Sequence, residues 1–434
     1  MEVLNEVEVK MRTVDDLIIG AGISGLSYAL YCNENSIIVE QESESGGYCR
    51  TFYQDGFVWD FAGHFFHFST DKIRDFFDNK LLEKDKVICK KNTKIYYNGR
   101  YIDYPFQMNI HQLPKEEFID CLYDLATVEK QEEYDSFLAM LYGKFGAGIT
   151  EKFLKPYNEK LYACDLNELE PGAMGRFFPY ADLYKILCNM KKANNKSYND
   201  MFEYPKMGAA VFVNILKNNI NKAEIMCDSK VSNIDMNNHI AEVNGEKILY
   251  KRLINTAPLN QFVSMLSKNN FNFIKSKLHA NQVLVFNLGF NKKSSLKDVH
   301  WLYFPSKDIN FYRVGFYDVI LGTDRLSMYV EIGYSNDVKI TETEISKQLK
   351  LTLENLRDCG IITDHELVAH NHIIMNPAYV HITDESQNAV VDLKKQLSKY
   401  DIYTIGRYGS WTYCSIEDCM LDAIRLANEL GNVQ

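Results

Sequence analysis

The segment Gly20-Ala21-Gly22-Ile23-Ser24-Gly25 limits what this chain can fold into more than any other stretch of its 434 residues. It follows a short β run, Asp15–Ile19, and precedes Leu26, Ala29 and Leu30 at helical spacing. A second apolar run, Ser36–Val39, ends in Glu40, twenty residues after Gly20. The pattern predicts strand, tight turn, helix and strand. Gly20 permits the turn, Gly22 leaves room for a phosphate to reach the backbone, and Gly25 lets helix and strand close together. The helix start, with Ser24 in its first turn, presents N–H groups and a partial positive charge to an anion. Glu40 can accept hydrogen bonds from ribose hydroxyls, which favours an adenosine without a 2′-phosphate. A glycine triplet alone is weak evidence; in this strand–helix–strand context it predicts a dinucleotide site.

Gly46-Gly47 and Arg50 follow Glu40 closely. Near the C-terminus a short β run, Ile402–Ile405, leads into Gly406-Arg407 and then a helix from Ile416 to Leu430. Both features resemble the glutathione-reductase-type FAD folds, in which a returning strand, a glycine and a helix approach the flavin. The resemblance implies FAD rather than NAD, and adds Val231 and Asp418 to the residues expected at the cofactor.

Between these ends the pattern changes character. Phe52–Phe61 alternates around Asp55-Gly56, and Ile95–Tyr97 and Tyr101–Tyr104 flank Asn98-Gly99, so two hairpins are predicted. Pro114 to about Met190 reads as helical. Runs at Val283–Leu288, Trp301–Phe304, Phe311–Phe316 and Leu326–Tyr334 predict a large antiparallel sheet, and Thr341–Cys359 and Asp384–Lys399 read as helices. No repeat or flexible linker separates these parts, so the domains are expected to interleave. The fold class expected is α/β with α+β: a Rossmann-type FAD-binding domain (1–105, 205–270 and 376–434), a helical domain (106–204) and an antiparallel-sheet substrate domain (271–375).

Composition excludes several classes. A net charge of −10 argues against a nucleic-acid partner. No apolar run reaches the length of a membrane span, and the acidic start Met1–Lys10 has no signal-peptide core. The ten cysteines include no CxxC; the closest pair is Cys414 and Cys419. They read as thiols of a cytoplasmic protein, with no metal site. The 28 tyrosines suit a site that stacks planar ligands, although most aromatics serve a core.

Further stretches, in order and spacing, resemble the eukaryotic-type UDP-galactopyranose mutases. They are Asp60-Phe61-Ala62-Gly63-His64, Tyr104-Pro105-Phe106-Gln107, Lys155-Pro156-Tyr157-Asn158-Glu159-Lys160, Met174-Gly175-Arg176, Asn199 with Phe202 to Pro205, Trp301-Leu302-Tyr303, Phe311-Tyr312-Arg313, and Gly406 to Trp411 with Tyr413. The family uses reduced flavin, regenerated by NAD(P)H or another reductant, to interconvert six- and five-membered rings of a UDP-sugar through a covalent flavin N5–sugar adduct.

By this resemblance His64 lies beside the flavin. Arg313 and Arg407 grip the diphosphate with help from Tyr303, Tyr379 and Tyr413. Tyr104, Phe106, Gln107 and Trp301 hold the uracil. Asn158, Tyr162, Arg176 and Asn199 line the sugar pocket. The residue types suit these tasks: guanidinium forks bind phosphate in bidentate fashion, and phenols donate without adding charge.

The chain departs from the family pattern around the sugar. Tyr162 replaces a Trp, Ala62 a Gly and Glu417 an Asn, and the flap reads Met207-Gly208-Ala209-Ala210. Three other readings stay open: a flavoenzyme that oxidises or otherwise rearranges a nucleotide sugar, an amine-oxidase-like or protoporphyrinogen-oxidase-like enzyme, and a non-enzymatic flavoprotein.

Overall fold

The computed structural model describes residues 11–32, 35–195, 200–267 and 271–431. The acidic start Met1–Lys10 and the sugar-pocket candidate Asn199 lie outside the described residues. The chain divides into two compact units, 1–47 with 213–278 and 387–434, and 48–212 with 279–386.

The first unit is built on a seven-stranded sheet. Its central strand, Arg12–Ile19, pairs in parallel with Ser36–Val39 on one side and Glu246–Asn255 on the other. Ala223–Met226 extends one edge in parallel, and the antiparallel strands Val231–Asp235 and Ile240–Val243 extend the other. Ser36–Val39 is buried throughout, as a parallel strand covered on both faces should be. Helix Ile23–Tyr31 connects the first two strands, and Ile23 to Ala29 are all buried. Asp16, also fully buried, fixes that helix: it accepts from Tyr28 Oη at 3.0 Å and Cys32 Sγ at 2.9 Å, and pairs with Arg252 Nε at 2.5 Å. The predicted return is present. Ile402–Thr404 adds in parallel beside Leu253–Asn255, and helix Ile416–Glu429 follows.

The second unit holds another seven-stranded sheet, in the order Leu367–Met375, Asn281–Phe290, Ser327–Ser335, Arg313–Phe316, Trp301–Tyr303, Thr93–Tyr97, Arg100–Asp103. All neighbours are antiparallel except Trp301–Tyr303 with Thr93–Tyr97. Strand side chains alternate between faces, and here the two faces differ in chemistry. Leu284, Phe286, Leu288, Leu302, Val314, Phe316, Met328 and Val330 form an apolar core, with Ile345 and Leu356 packed into it from helix Glu342–Asp358. The opposite face carries the candidate site.

Both predicted hairpins are present, as Thr51–Gln54 with Phe57–Asp60 and Thr93–Tyr97 with Arg100–Asp103. The predicted helical stretch contains Lys115–Thr127, Phe137–Ile149, Lys155–Tyr162 and Leu183–Lys191. Between the last two it is irregular, because the helix ending at Tyr162 stops on Ala163 in a left-handed conformation, φ 51°.

Candidate functional site

In the first unit the glycine loop is shaped as its spacing implies. Gly20 has φ +97°, and a Cβ on Gly25 would lie 2.0 Å from the Gly20 carbonyl oxygen. Only hydrogen at position 25 lets the helix sit this close to the strand. Gly22 is the N-cap of helix Ile23–Tyr31, which has no side-chain cap and no acidic residue in its first turn. Its leading amides are therefore left for a ligand. Gly46 donates to the Ala21 carbonyl at 2.8 Å, and a Cβ on Gly47 would lie 3.4 Å from Gly22 Cα. Two glycine turns thus meet backbone to backbone.

Glu40 is buried and accepts from the Ala21 N–H at 2.8 Å and the Glu42 N–H at 3.0 Å. A carboxylate has about four acceptor sites, so this leaves capacity for a ribose. A Cβ on Gly406 would lie 2.0 Å from Ser24 Oγ, so the returning strand delivers Gly406 onto the first turn of the nucleotide helix. Arg407 lies 4.6 Å over the Tyr413 ring and donates to the Cys414 carbonyl at 3.2 Å. Asp418 closes a capping box with Ser415, and Val231 is buried at the start of its strand. The residues present fit a bound dinucleotide.

In the second unit the register aligns the predicted nucleotide-sugar residues. Tyr303 lies opposite Arg313, and Arg313 opposite Glu331, so the three share one face. The ten-residue step from Tyr303 to Arg313 is thereby a cross-strand pair. Glu331, 1 % exposed, takes the Arg313 fork in bidentate fashion: Nε to Oε2 at 3.0 Å and Nη2 to Oε1 at 2.6 Å. Burial opposes the charge on Arg313, but Glu331 outweighs it and holds the guanidinium firmly ionised. The pair is net neutral. Arg313 therefore offers oriented N–H donors more than net charge. Nη2 also lies 3.5 Å from Tyr379 Oη.

The next row holds Trp301, Gly315, Tyr329 and Asn287. Trp301 donates to Tyr329 Oη and packs against Phe65 and Phe202 at 4.8 and 5.1 Å. A Cβ on Gly315 would come within 2.1 Å of the Tyr329 ring, and one on Gly63 within 2.2 Å of Tyr329 Oη. These two glycines make the slot for Tyr329 and bring the Gly63-His64 turn to this face. His64 Nδ1 donates to the Ala62 carbonyl at 3.1 Å, a bond that sets its tautomer. Asp60, fully buried, anchors the same loop. It accepts from Thr51 Oγ1 at 2.6 Å, Tyr204 Oη at 2.8 Å and Ala209 N–H at 3.0 Å, and burial pushes its carboxyl up to about 7.

Helix Lys155–Tyr162 seats on this face where Gly333 leaves room; a Cβ there would lie 2.1 Å from the Lys160 carbonyl oxygen. Lys160 Nζ donates to the carbonyls of Phe304, Ser306, Ile309 and Phe311 at 2.5–2.9 Å, which organises the loop between Tyr303 and Arg313. A chain of rings runs through the site: Tyr104 to Tyr303 at 5.2 Å, Tyr303 to Tyr157 at 5.1 Å, Tyr157 to Phe153 at 5.2 Å, and Phe153 to Phe106 at 5.1 Å. Burial raises the phenol pKa of Tyr157, Tyr312 and Tyr329 well above its ordinary value, so these rings stay protonated.

Two predicted residues carry buried acceptors. Gln107 gives its amide nitrogen to the Pro179 carbonyl, and Asn158 gives its own to Leu154 at 2.6 Å. These bonds orient both amides, and the carbonyl oxygens, Gln107 Oε1 and Asn158 Oδ1, have no hydrogen-bond partner among the described residues. A buried polar atom of this kind calls for a ligand or water.

Phe106 is fully buried within the ring chain, stacked on Phe153, Tyr162 is buried with its ring 6.0 Å from that of Tyr379, and Arg176 is exposed. Arg50 falls in the second unit, 4.4 Å over Phe61. Sequence reasoning missed Glu331, Tyr329 and the anchoring roles of Asp60 and Lys160. It also missed Lys91, whose amine lies 5.2 Å over the Tyr104 ring and is pulled down by burial to about 8. An acid inside the apolar run Phe57–Phe61, and Tyr329 and Glu331 alternating with Met328 and Val330, were the available signals. Among the described residues no cluster suits a metal.

Residues 18–79 match the NAD(P)-binding Rossmann-like domain family. The whole fold is similar to that of a reduced UDP-galactopyranose mutase, with TM-score 0.89, 23% identity, and 96% of each chain covered. It is also similar to a protein assigned as a protoporphyrinogen oxidase from Exiguobacterium sp. 255-15, with TM-score 0.75, 15% identity, and 96% and 98% covered. A redesigned putrescine oxidase gives TM-score 0.62, 12% identity, and 97% and 99% covered. The chain has the fold of the FAD-dependent mutases and amine oxidases.

Proposed function

We propose that this protein is a flavin-dependent mutase of the eukaryotic type that interconverts pyranose and furanose forms of a UDP-sugar. In this reading FAD is held by the glycine loops and Glu40 of the first unit, and the nucleotide sugar by the polar face of the second. The observation that carries the reading is the pair of buried, oriented carbonyl oxygens on Gln107 and Asn158, in the unit where Tyr303, Arg313 and Tyr379 converge.

Each residue then has a defined task. Gln107 Oε1 accepts from the uracil N3–H, and Asn158 Oδ1 accepts from a sugar hydroxyl. Tyr303 and Tyr379 donate phenolic hydrogens to the diphosphate, and Arg313 orients it with N–H groups while Glu331 fixes the fork. As the anomeric bond breaks, charge grows on the departing diphosphate, and donors already in place cost no reorganisation. When bound, reduced flavin supplies the nucleophile for a reaction with no net redox change. The departures at Tyr162 and Ala62 bear on the sugar more than on the UDP.

Calorimetry tests the reading. UDP should bind the wild type and uridine far more weakly. Gln107→Met should weaken UDP about tenfold, the equivalent of roughly 1.4 kcal/mol. Asn158→Ser should weaken a UDP-sugar similarly while sparing UDP. Equal UDP affinity in the wild type and Gln107→Met, or no UDP binding by the wild type, would overturn it.

A further inference from the structure

The closest cysteine pair in the sequence meets in space. Helix Ile416–Glu429 begins with a capping box: Ser415 Oγ accepts from the Asp418 N–H at 3.1 Å, and Asp418 Oδ2 accepts from the Ser415 N–H at 2.8 Å. A capping box sets the residue before the cap against the fourth helical residue, positions that an apolar pair commonly fills. Here they are Cys414 and Cys419, and their sulfurs lie 3.6 Å apart. We propose that Cys414 and Cys419 are a redox-modification site, a dithiol that a hydroperoxide oxidises to a reversible disulfide.

The surroundings give the two thiols different tasks. Either thiol can donate across the 3.6 Å contact; with Cys414 as the donor, that bond is the main influence lowering the Cys419 pKa, burial opposes it, and the Arg407 N–H, the Ser24 hydroxyl and the Arg407 guanidinium assist. Donating that bond, together with burial, raises Cys414 and keeps it a thiol. Facing Cys419 are therefore Cys414, Ser24 and Arg407, and the Asp418 carboxylate acts on Cys414. The thiolate is the reactive form, so Cys419 attacks and Cys414 resolves. Cys419 is 8 % exposed and Cys414 is half-buried, an opening suited to a small oxidant.

The steps balance. The Cys419 thiolate displaces alkoxide or hydroxide from the peroxide: an S–O bond forms, the O–O bond breaks, and the leaving oxygen takes a proton. Cys414 then attacks the sulfenic sulfur, forming the S–S bond and releasing water. Two thiols lose two electrons and two protons, and the hydroperoxide becomes an alcohol, or water, plus water. Ordinary apolar capping by two thiols would show no such chemistry.

The test uses the full chain and hydrogen peroxide at stoichiometric amounts, followed by iodoacetamide, trypsin and mass spectrometry without reductant. Both cysteines fall on the tryptic peptide 408–425. That peptide should emerge two hydrogens lighter and unalkylated, and dithiothreitol should restore alkylation at both sites. Cys414→Ser should let dimedone trap a sulfenic acid at Cys419, while Cys419→Ser should leave Cys414 unmodified. Full alkylation of both cysteines after peroxide in the wild type, or equal dimedone trapping in the two variants, would overturn the proposal. The wild-type measurement needs no variant to fold.

Discussion

Arg313 cannot be removed without consequence for Glu331. Glu331 is 1 % exposed and gives both carboxylate oxygens to the Arg313 fork. Arg313→Met leaves that carboxylate buried without its cation, a change that costs about 3–5 kcal/mol. Replacing both residues with Met removes the charge problem and should restore most of the loss, since apolar replacement of a buried pair is often near neutral. Urea unfolding followed by tryptophan fluorescence measures all three variants, and the two single costs should sum to well above the cost of the double. A single-variant cost below about 1 kcal/mol, or additive costs in the double, would refute the reasoning about this pair.

Gly25→Ala places a methyl 2.0 Å from the Gly20 carbonyl oxygen, so flavin content, read by absorbance, should fall with a stability loss of about 1–3 kcal/mol. Lys160→Met takes the donor from four carbonyls between Tyr303 and Arg313; thermal unfolding should show a loss of at least about 3 kcal/mol, with UDP affinity weakened as well. Asp60 has a folded pKa raised to about 7, so its contribution to stability is greatest below the ordinary carboxylate range and is lost as pH rises through 7. The stability of wild type relative to Asp60→Asn should therefore decline from about pH 4 to 7, and a flat difference would contradict the buried-acid assignment.

The readability of this chain followed the range of the interactions. The glycine loop was legible because its conformation is set within six residues, and the hairpins because a two-residue turn and period-two alternation are local signals. The step from Tyr303 to Arg313 carried more than it first showed, since only the strand register reveals that the two residues face each other. Glu331 was hidden for the same reason. Its strand alternates visibly, but its partner lies eighteen residues away on another strand. Strands Lys86–Lys90 and Met201–Pro205 pair across more than a hundred residues, and neither has a pattern that announces the other. Strand Leu367–Met375 is an edge with alternating exposed positions, and its polar His and Asn residues mask it. The helical reading of 163–182 failed where Pro171-Gly172 and the left-handed Ala163 break the backbone, a turn signal present in the sequence but outweighed by its apolar spacing.

Turnover tests the central claim most directly. Protein reduced with dithionite under anaerobic conditions should be incubated with UDP-galactofuranose and, in parallel, UDP-galactopyranose, with products resolved by chromatography and identified by NMR. The account predicts interconversion of the two ring forms over many turnovers per flavin, no stoichiometric consumption of reductant, and no reaction with the oxidised protein. Turnover by oxidised enzyme in air with one oxygen consumed per product, or no conversion of either UDP-sugar by a reduced, FAD-loaded protein, would contradict it.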